Sequence, residues 1–325
     1  MNITRRALAA SPLAALLPRP VRAQAAWPDR PLRLIVPLTA GGIADLLARQ
    51  VAEHLQGRLG KPVVVENRAG AGGFIGMDLV ARAAPDGHTL GMGNIAANAI
   101  GPALQRDRVP YDPVRGFTPI CLVAITPSVL VVNPARVPVA NLAEFIAHLR
   151  ANPGKLNYGS SGVGTSLHLG MEMLIQATGV PMTHVPYRGS SEMIPQLLAG
   201  TVDLAIDGFA TAWPHVQAGR LRAIAVPTPQ RLPFAPDLPA VAEQVPGVGL
   251  SPWHGIMGPA GLPAPIVQRL NSDIVAHLRD PAVVQRMAGL GAVAAPNTPE
   301  AFATMMAQEA ATFRALIDRT GITAG

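Results

Sequence analysis

Unbroken apolar runs of strand length alternate along this chain with segments of helical periodicity. The run LRLIVPL, from Leu32 to Leu38, is aliphatic almost throughout, and Gly41 and Gly42 follow it closely. From Ile43 to Leu55 the apolar positions repeat at steps of three and four residues, which is the pattern of one helix face. Strands without polar alternation, joined by helices, predict an α/β fold with parallel sheets covered on both faces.

The length of the chain and two crossing points predict two lobes. One hydrophobic core rarely organises more than about 300 residues, so a chain of 325 residues favours two domains. The apolar runs CLVAIT and SVLVVNP lie almost back to back near residues 123–134, which predicts a strand that crosses between lobes. The chain crosses back near LSPWHGIMGP. We expect residues 26–126 plus 251–325 in domain 1, residues 127–250 in domain 2, and a ligand cleft with a hinge between them.

The first 25 residues have the plan of a secretory signal peptide. Arg5 and Arg6 precede the apolar segment ALAASPLAALLP, and small residues follow near Ala23 and Ala25. The apolar segment is shorter than the ~20 residues that a membrane-spanning helix needs. We therefore expect a cleaved leader over residues 1–25 and an exported protein, and the pattern leaves both the Sec and the twin-arginine route open.

The charge balance and the cysteine count exclude several classes of protein. The chain has 26 Lys and Arg against 20 Asp and Glu, and four of the arginines lie in the leader, so the remainder carries 22 − 20 = +2. No basic run marks a nucleic-acid-binding face. The lone Cys121 excludes an internal disulfide and a CxxC zinc site, and its apolar surroundings predict a buried side chain.

The glycine-rich stretches do not match the common catalytic or nucleotide-binding motifs. A nucleophile elbow needs a second glycine where Val163 stands, two positions after Ser161. A Walker loop needs a lysine after its last glycine, and neither Lys61 nor Lys155 is so placed. In GAGGFIG, Ile75 occupies the third-glycine position of a dinucleotide fingerprint. We therefore predict no cofactor, no metal and no catalytic group.

The interpretation that remains is an anion cradle built from two helix N-termini. TAGGIAD (residues 39–45, the first loop) and GSSGVGTS (residues 159–166, the second loop) each lead from a strand into a helix. The first turn of a helix presents unpaired N–H groups and a partial positive charge, which stabilise a carboxylate. Spacing alone equally allows the alternative that both loops are ordinary helix caps with turn glycines.

Together with VVVENRAGAGGFIG, APDGHTL and HVPYRGSSEMIPQLLAGTVDLAID, these loops closely resemble the Bug family. Its members are TctC-type periplasmic solute-binding receptors of tripartite tricarboxylate transporters. The resemblance covers essentially the whole chain after the leader. It implies a two-lobed periplasmic binding protein fold of type II-like architecture that closes around a small carboxylate. It also implies a membrane permease as partner, and neither a cofactor nor catalysis.

Carried over residue by residue, the resemblance places ligand contacts in both loops and on two later strands. In similar proteins, amides and hydroxyls of the second loop hold the carboxylate, and ordered waters bridge it to the first loop. The implied ligand-binding residues are Ala40, Gly41, Gly42, Asp45, Ser160, Ser161, Gly164, Thr165, His168, Tyr187, Arg188 and Asp207.

Some of these residues admit more than one role. An acid near an anion site repels the ligand, so we assign Asp45 to organising its loop. Arg188 either pairs a second carboxylate or points outward, and Asp207 either faces the cleft or caps the helix after Gly208. Leu38 and Ala44 stand where relatives carry an aromatic and a hydroxyl residue, which predicts a less polar pocket wall.

The predicted function is a periplasmic receptor, expected as a monomer, that presents a bound carboxylate to a permease. Di- and tricarboxylates, acidic amino acids and aromatic acids all fit such a cradle. One alternative is a ligand sensor without a permease. The other is a hydrolase in the cleft that uses Ser161 as nucleophile and His168 as base.

Overall fold

The computed structural model describes residues 27–323, so the predicted leader over residues 1–25 lies outside the described residues. Within that range the chain alternates strands and helices in nearly every segment. The strands are β1 (Leu32–Val36), β2 (Val63–Asn67), β3 (Thr89–Asn94), β4 (Phe117–Ile125), β5 (Ser128–Val132), β6 (Asn157–Ser160), β7 (Thr183–Pro186), β8 (Leu204–Gly208), β9 (Arg222–Ala225), β10 (Trp253–Pro259) and β11 (Val293–Ala294).

The helices lie mostly where the apolar periodicity predicts them. They are α1 (Ile43–Leu59), α2 (Phe74–Ala81), α3 (Gly101–Leu104), α4 (Leu142–Ala151), α5 (Ser166–Thr178), α6 (Ser190–Ala199), α7 (Phe209–Gln217), α8 (Ala264–Leu278), α9 (Pro281–Gly289) and α10 (Pro299–Thr320). Sequence analysis missed α9, and it missed α3 together with the π-helical turn Ala96–Ile100 before it. None of the helices described is both long and apolar enough to cross a membrane.

The strands form two mixed sheets, in which the predicted parallel strands are joined by antiparallel ones. The first sheet has the order β11-β4-β10-β3-β1-β2 and the second has the order β7-β6-β8-β5-β9. In the first sheet β1 is parallel to β2 and β3, and in the second β6 is parallel to β7 and β8. Strands β10 and β5 run against both of their neighbours.

The reversal of β5 and β10 follows from where the chain enters each sheet. Ser128 begins β5 opposite Gly208 at the end of β8, and His254 near the start of β10 pairs with Asn94 at the end of β3. The chain therefore enters each sheet at the edge where the parallel strands end, and it has to run back along them. The predicted crossing strand is accordingly two strands, β4 and β5, one in each sheet.

The two crossings between the sheets lie side by side. Residues 126–127 connect β4 to β5, and residues 226–252 connect β9 to β10. The backbone N–H of Thr126 donates to the carbonyl of Pro252 over 2.7 Å, which ties the two crossings together. Both crossings therefore lie together, next to the carboxyl ends of the parallel strands, and we call this place the hinge.

Helix α1 shows how the sequence forms the elements around this hinge. Gly42 caps its N-terminus in an extended conformation, and Gly60 ends it in the left-handed region with φ +65°. Leu47, Val51 and Leu55 repeat along one face and are at most 1% exposed. Burial of each such side chain stabilises the fold by roughly 1.5–3 kcal/mol, so the periodicity fixes which face of α1 covers the sheet.

Candidate functional site

A cavity of about 340 Å³ lies at the hinge, between Ser128 and Gly208 of the second sheet and residues such as Ile43 that pack on the first sheet. We call it the hinge cavity. The first residues of three helices, α1, α5 and α7, form part of its wall, because each of these helices starts where a strand ends at the hinge. The lining residues are Ile43, Thr126, Pro127, Ser128, Ser166, Leu167, Gly208, Phe209, Ala210, Thr211, Pro252, Leu290 and Gly291.

Close contacts between the two sides bring the elements of the two sheets together near this cavity. A Cβ atom on Gly164, in the second loop, would lie 2.6 Å from Leu104 Cδ1 at the end of α3. A Cβ atom on Gly291 would lie 2.7 Å from the Cβ atom of Ala210 in α7. Both glycines also have positive φ angles, so larger residues are excluded by space and by backbone conformation.

Asp45 holds the first loop together from inside the fold. Its carboxylate accepts the N–H of Gly41 at 2.9 Å and the side-chain amide of Asn67 at 3.0 Å. The same amide donates to the carbonyl of Leu38 at 3.1 Å, and Arg49 donates to Asp45 at 3.0 Å. Asp45 is only 2% exposed and its side chain is used within the protein, which fits a role in organising the loop.

The electrostatics of Asp45 follow from these contacts. Burial by itself raises the pKa of this carboxyl, but the hydrogen bonds from Arg49, Gly41 and Asn67 outweigh burial and hold the pKa below its ordinary value. The carboxylate is therefore charged at neutral pH, with the Arg49 guanidinium beside it. This pairing offsets the negative charge that an isolated acid would present to an anion.

The second loop is held by hydroxyl groups instead of a carboxylate. Ser160 Oγ accepts the N–H of Gly162 at 3.1 Å and lies 2.7 Å from His184 Nε2. Thr165 caps helix α5: its Oγ1 accepts the N–H of His168 at 3.3 Å and donates to the carbonyl of Gly162 at 2.9 Å. Both hydroxyls thus stabilise the backbone of their own loop.

His168 is a structural part of this loop. Its Nδ1 accepts the N–H of Gly164 at 3.0 Å, and its ring stacks on His184 with centroids 4.0 Å apart. Burial lowers the pKa of His168 to about 4, and burial together with the neighbouring His168 lowers that of His184 to about 4. Both rings are therefore neutral at pH 7.

This geometry does not form the nucleophile and base of the hydrolase alternative. The nearest hydrogen-bond partner of Ser161 Oγ in the described chain is Thr165 Oγ1 at 3.4 Å, and the Nδ1 lone pair of His168 is occupied by the Gly164 N–H. A serine needs a free base within hydrogen-bond reach to become a nucleophile. Ser160, which does contact a histidine, is fully buried.

The donors left free are the first N–H groups of α1 and α5. The first two N–H groups of a helix have no partner within the helix. No acceptor within residues 27–323 takes those of Ile43 and Ala44 in α1, or those of Ser166 and Leu167 in α5. Ile43, Ser166 and Leu167 also line the hinge cavity, whereas the corresponding first N–H of α7, on Phe209, donates to Pro127 at 2.9 Å.

The sequence allowed two roles each for Asp207 and Arg188, and the structure gives the contacts of both. Asp207 is fully buried, and the hydroxyls of Ser190 and Thr211 donate to its two carboxylate oxygens. Burial, the largest influence, raises its pKa against these hydrogen bonds. Arg188 is exposed, and its backbone N–H donates to Glu192 at 2.9 Å. Tyr187 is half-buried, and its N–H donates to the Ser160 carbonyl at 3.0 Å.

None of the twelve residues implied by the resemblance is among those that line the hinge cavity. Three lining residues directly follow implied ones, since Ile43 follows Gly42, Ser166 follows Thr165 and Gly208 follows Asp207. Ala40, Gly41 and Gly42 are exposed. Ala44 is buried in the core of the first sheet and Leu38 packs against that core, so their effect on the polarity of the pocket wall stays a prediction. Sequence analysis missed the wall residues Ser128, Phe209 and Leu290, which carry no motif.

Comparison with known proteins identifies the family. The family profile described as the tripartite tricarboxylate transporter family receptor, TctC, matches residues 47–322. A UPF0065 protein of Pseudomonas sp. (strain P51), from the tcbD-tcbE intergenic region, is 39% identical over 97% of this chain and 94% of its own length. Protein BugT of Bordetella pertussis (strain Tohama I) is 36% identical over 91% of this chain and 90% of its own.

The chain belongs to the TctC receptor family. Among solved structures of similar proteins, R. palustris Rpa4515 with adipate is 34% identical, with a TM-score of 0.74 over 91% of this chain and 99% of that one. The resemblance to the Bug family and the two-lobed periplasmic binding protein fold are thereby confirmed. TctC family members are solute-binding receptors, so the family supports binding and transport in preference to hydrolysis.

Proposed function

We propose that this TctC receptor captures a small organic carboxylate in the hinge cavity and delivers it to the permease subunits of a tripartite tricarboxylate transporter. The observation that carries the proposal is the convergence of free first-turn N–H groups from α1 and α5 on one cavity that the first residues of both helices line. The adipate bound to Rpa4515 supports a carboxylate as ligand. The predicted leader supports a periplasmic location.

The two sheets support a division into two lobes that close on the ligand. We propose that residues 26–126 with 251–325 form one lobe and residues 127–250 the other, with the paired crossings at Thr126 and Pro252 as hinge. Closure would change the surface that a permease meets, so the loaded form can be selected. We further propose that the receptor acts as a monomer.

Helix α5 allows a test that removes one backbone donor and little else. Ser166 is the first residue of the helix, where proline is tolerated because the N–H has no partner in the helix. The preceding Thr165 is extended, with φ −70° and ψ 159°, which suits a residue before proline. We therefore expect Ser166→Pro to fold and to lack the N–H that faces the ligand.

The matched variant is Ser166→Ala, which removes the hydroxyl and keeps the N–H. Calorimetric titration of the leader-free protein, with an acid identified by a thermal-shift screen, gives both affinities. Loss of a hydrogen bond to a charged group costs about 1.5–3 kcal/mol, so Ser166→Pro should weaken binding by roughly 10- to 150-fold relative to Ser166→Ala. Equal affinities in two variants with unchanged melting temperatures would contradict the cradle.

A further inference from the structure

The composition of the hinge cavity narrows the class of acid that this receptor can hold. Resting on the proposed function, we infer that the ligand carries one carboxylate on an uncharged, largely apolar body, and that di- and tricarboxylates are poor ligands. Within the described chain, none of the residues that line the hinge cavity has an ionisable side chain. Such a wall can surround an apolar group, but it offers no cation to pair with a second carboxylate.

The side chains that line the hinge cavity are largely apolar. Leu167, Phe209 and Leu290 line it, together with Pro127 and Pro252 of the two crossings. Phe209 is held rigidly, because its ring stacks on Trp213 with centroids 4.5 Å apart. An apolar ligand body that replaces water against these side chains gains about 25 cal/mol for each Å² of surface buried.

The helix N-termini supply charge for one carboxylate. Each presents roughly half of an elementary positive charge, so the free first turns of α1 and α5 together balance about one negative charge. Helix α7 adds a smaller share, because its first N–H is taken by the carbonyl of Pro127 and, of its first two, only that of the lining residue Ala210 has no acceptor in the described chain. A second carboxylate against the apolar wall would lose its hydration without gaining a cation, which is strongly unfavourable.

Two acids lie close in sequence to residues that line the hinge cavity, but neither offers a positive charge to a second carboxylate. Asp207 precedes the lining residue Gly208, but its two oxygens accept from Ser190 and Thr211, and it adds negative charge only. Asp45 follows Ile43 by two residues and is paired with Arg49 and Asn67. Neither acid lines the hinge cavity to receive a ligand ammonium group, so an amino acid is also a poor fit.

Ser128 points independently to a small ligand with a hydrogen-bonding group. It lines the hinge cavity at the start of β5 and is 1% exposed, and its hydroxyl has no partner within residues 27–323. A buried hydroxyl without a partner is costly and is rare in folded proteins. Ser128 can offer a ligand oxygen a hydrogen bond without neutralising any charge, as a monocarboxylate requires.

The test compares two acids of equal chain length, hexanoate with one carboxylate and adipate with two. Calorimetric titration of the leader-free protein should give a Kd for hexanoate at least 30-fold lower than for adipate. Equal affinity, or tighter binding of adipate, would overturn this inference and leave the proposed carboxylate receptor standing. If neither acid binds, and benzoate, phthalate, malate and citrate do not bind either, the proposed function itself fails.

A variant at Leu290 tests whether the apolar wall sets this preference. Leu290 is 38% exposed just after α9 and lines the hinge cavity, so Leu290→Arg adds a cation at the wall without disturbing the core. We expect the ratio of the adipate Kd to the hexanoate Kd to fall by at least 10-fold. The control is Val284→Arg, which lies in α9 at 43% exposure and outside the lining. An equal ratio in both variants would contradict the inference.

Discussion

The first and second loops do the same task with different chemistry. Each leads from a strand into a helix and leaves the first N–H groups of that helix free, α1 after the first loop and α5 after the second. A charged carboxylate, Asp45, holds the first loop. Neutral hydroxyls and an imidazole, Ser160, Thr165 and His168, hold the second. An anion site therefore needs its donors kept free, and either kind of internal acceptor can achieve this.

The contributions of the two loops to the free energy of unfolding should be lost in different pH ranges. This is the largest effect we expect. The pKa values of His168 and His184 are about 4 in the folded protein, below the ~6.5 of an unfolded histidine. The unfolded chain therefore binds more protons between these values, and stability falls as pH drops from 6.5 towards 4. For each of the two rings the loss is on the order of 3 kcal/mol at most.

The pKa of Asp45 is shifted in the same direction, but its effect on stability falls in a lower pH range. Its pKa is below the ordinary carboxyl value, so its contribution is complete above about pH 4 and is lost only as pH falls further. Urea unfolding at pH 4, 5, 6 and 7 measures the loss in this range, and His168→Gln should reduce its slope, with the remainder due to His184 and to His254 and His277, whose pKa values burial also lowers to about 4. If the free energy of unfolding of the wild type does not change between pH 7 and pH 4, the assignment of His168 and His184 as neutral rings is wrong.

Removal of the Asp45 carboxylate should destabilise the first loop by about 2 kcal/mol, because Gly41, Arg49 and Asn67 lose their common acceptor. The matched control is Asp78→Ala, which breaks another pair with an arginine four residues on. The Asp78 side chain is 26% exposed against 3% for Asp45, so its loss should cost less than about 0.5 kcal/mol. Equal losses in Asp45→Ala and Asp78→Ala, measured by urea unfolding, would show that the first loop does not depend on a buried carboxylate.

The cap of helix α5 should be worth about 1 kcal/mol, the usual contribution of a threonine N-cap. Thr165→Ala removes the acceptor for the His168 N–H, whereas Thr165→Ser keeps it. We expect the alanine variant to unfold at lower urea concentration and to bind the ligand more weakly, with the serine variant close to wild type. If alanine and serine behave alike, the second loop is held by Ser160 and His168 without its cap.

The smallest effect is expected at Ser161. Its hydroxyl makes one long contact, 3.4 Å to Thr165 Oγ1, so Ser161→Ala should change stability by less than about 0.5 kcal/mol. The same variant tests the hydrolase alternative, since a nucleophilic serine would abolish turnover of acyl esters on replacement. Ester hydrolysis by the wild type that disappears in Ser161→Ala would refute a receptor without catalysis.

Much of the architecture can be read from local patterns. The apolar runs and the helical periodicity place most strands and helices, because a strand or helix buries its own repeating face. The π-helical turn Ala96–Ile100 and the short α3 have too few turns to show a period. The positions of the domain boundaries and the ligand-binding role of the twelve implied residues stay predictions.

The sequence by itself determined the elements, the two loops and the family, since these depend on neighbours along the chain. Only the tertiary structure decided how the polar groups are used: Asp45 and His168 fold back on their own loops, and the free N–H groups fall on Ile43 and Ser166. It also decided the wall of the hinge cavity, which Ser128 and Leu290 both line although they lie far apart in the chain. Such contacts carry no local signal, because they arise from the way two sheets are joined at a hinge.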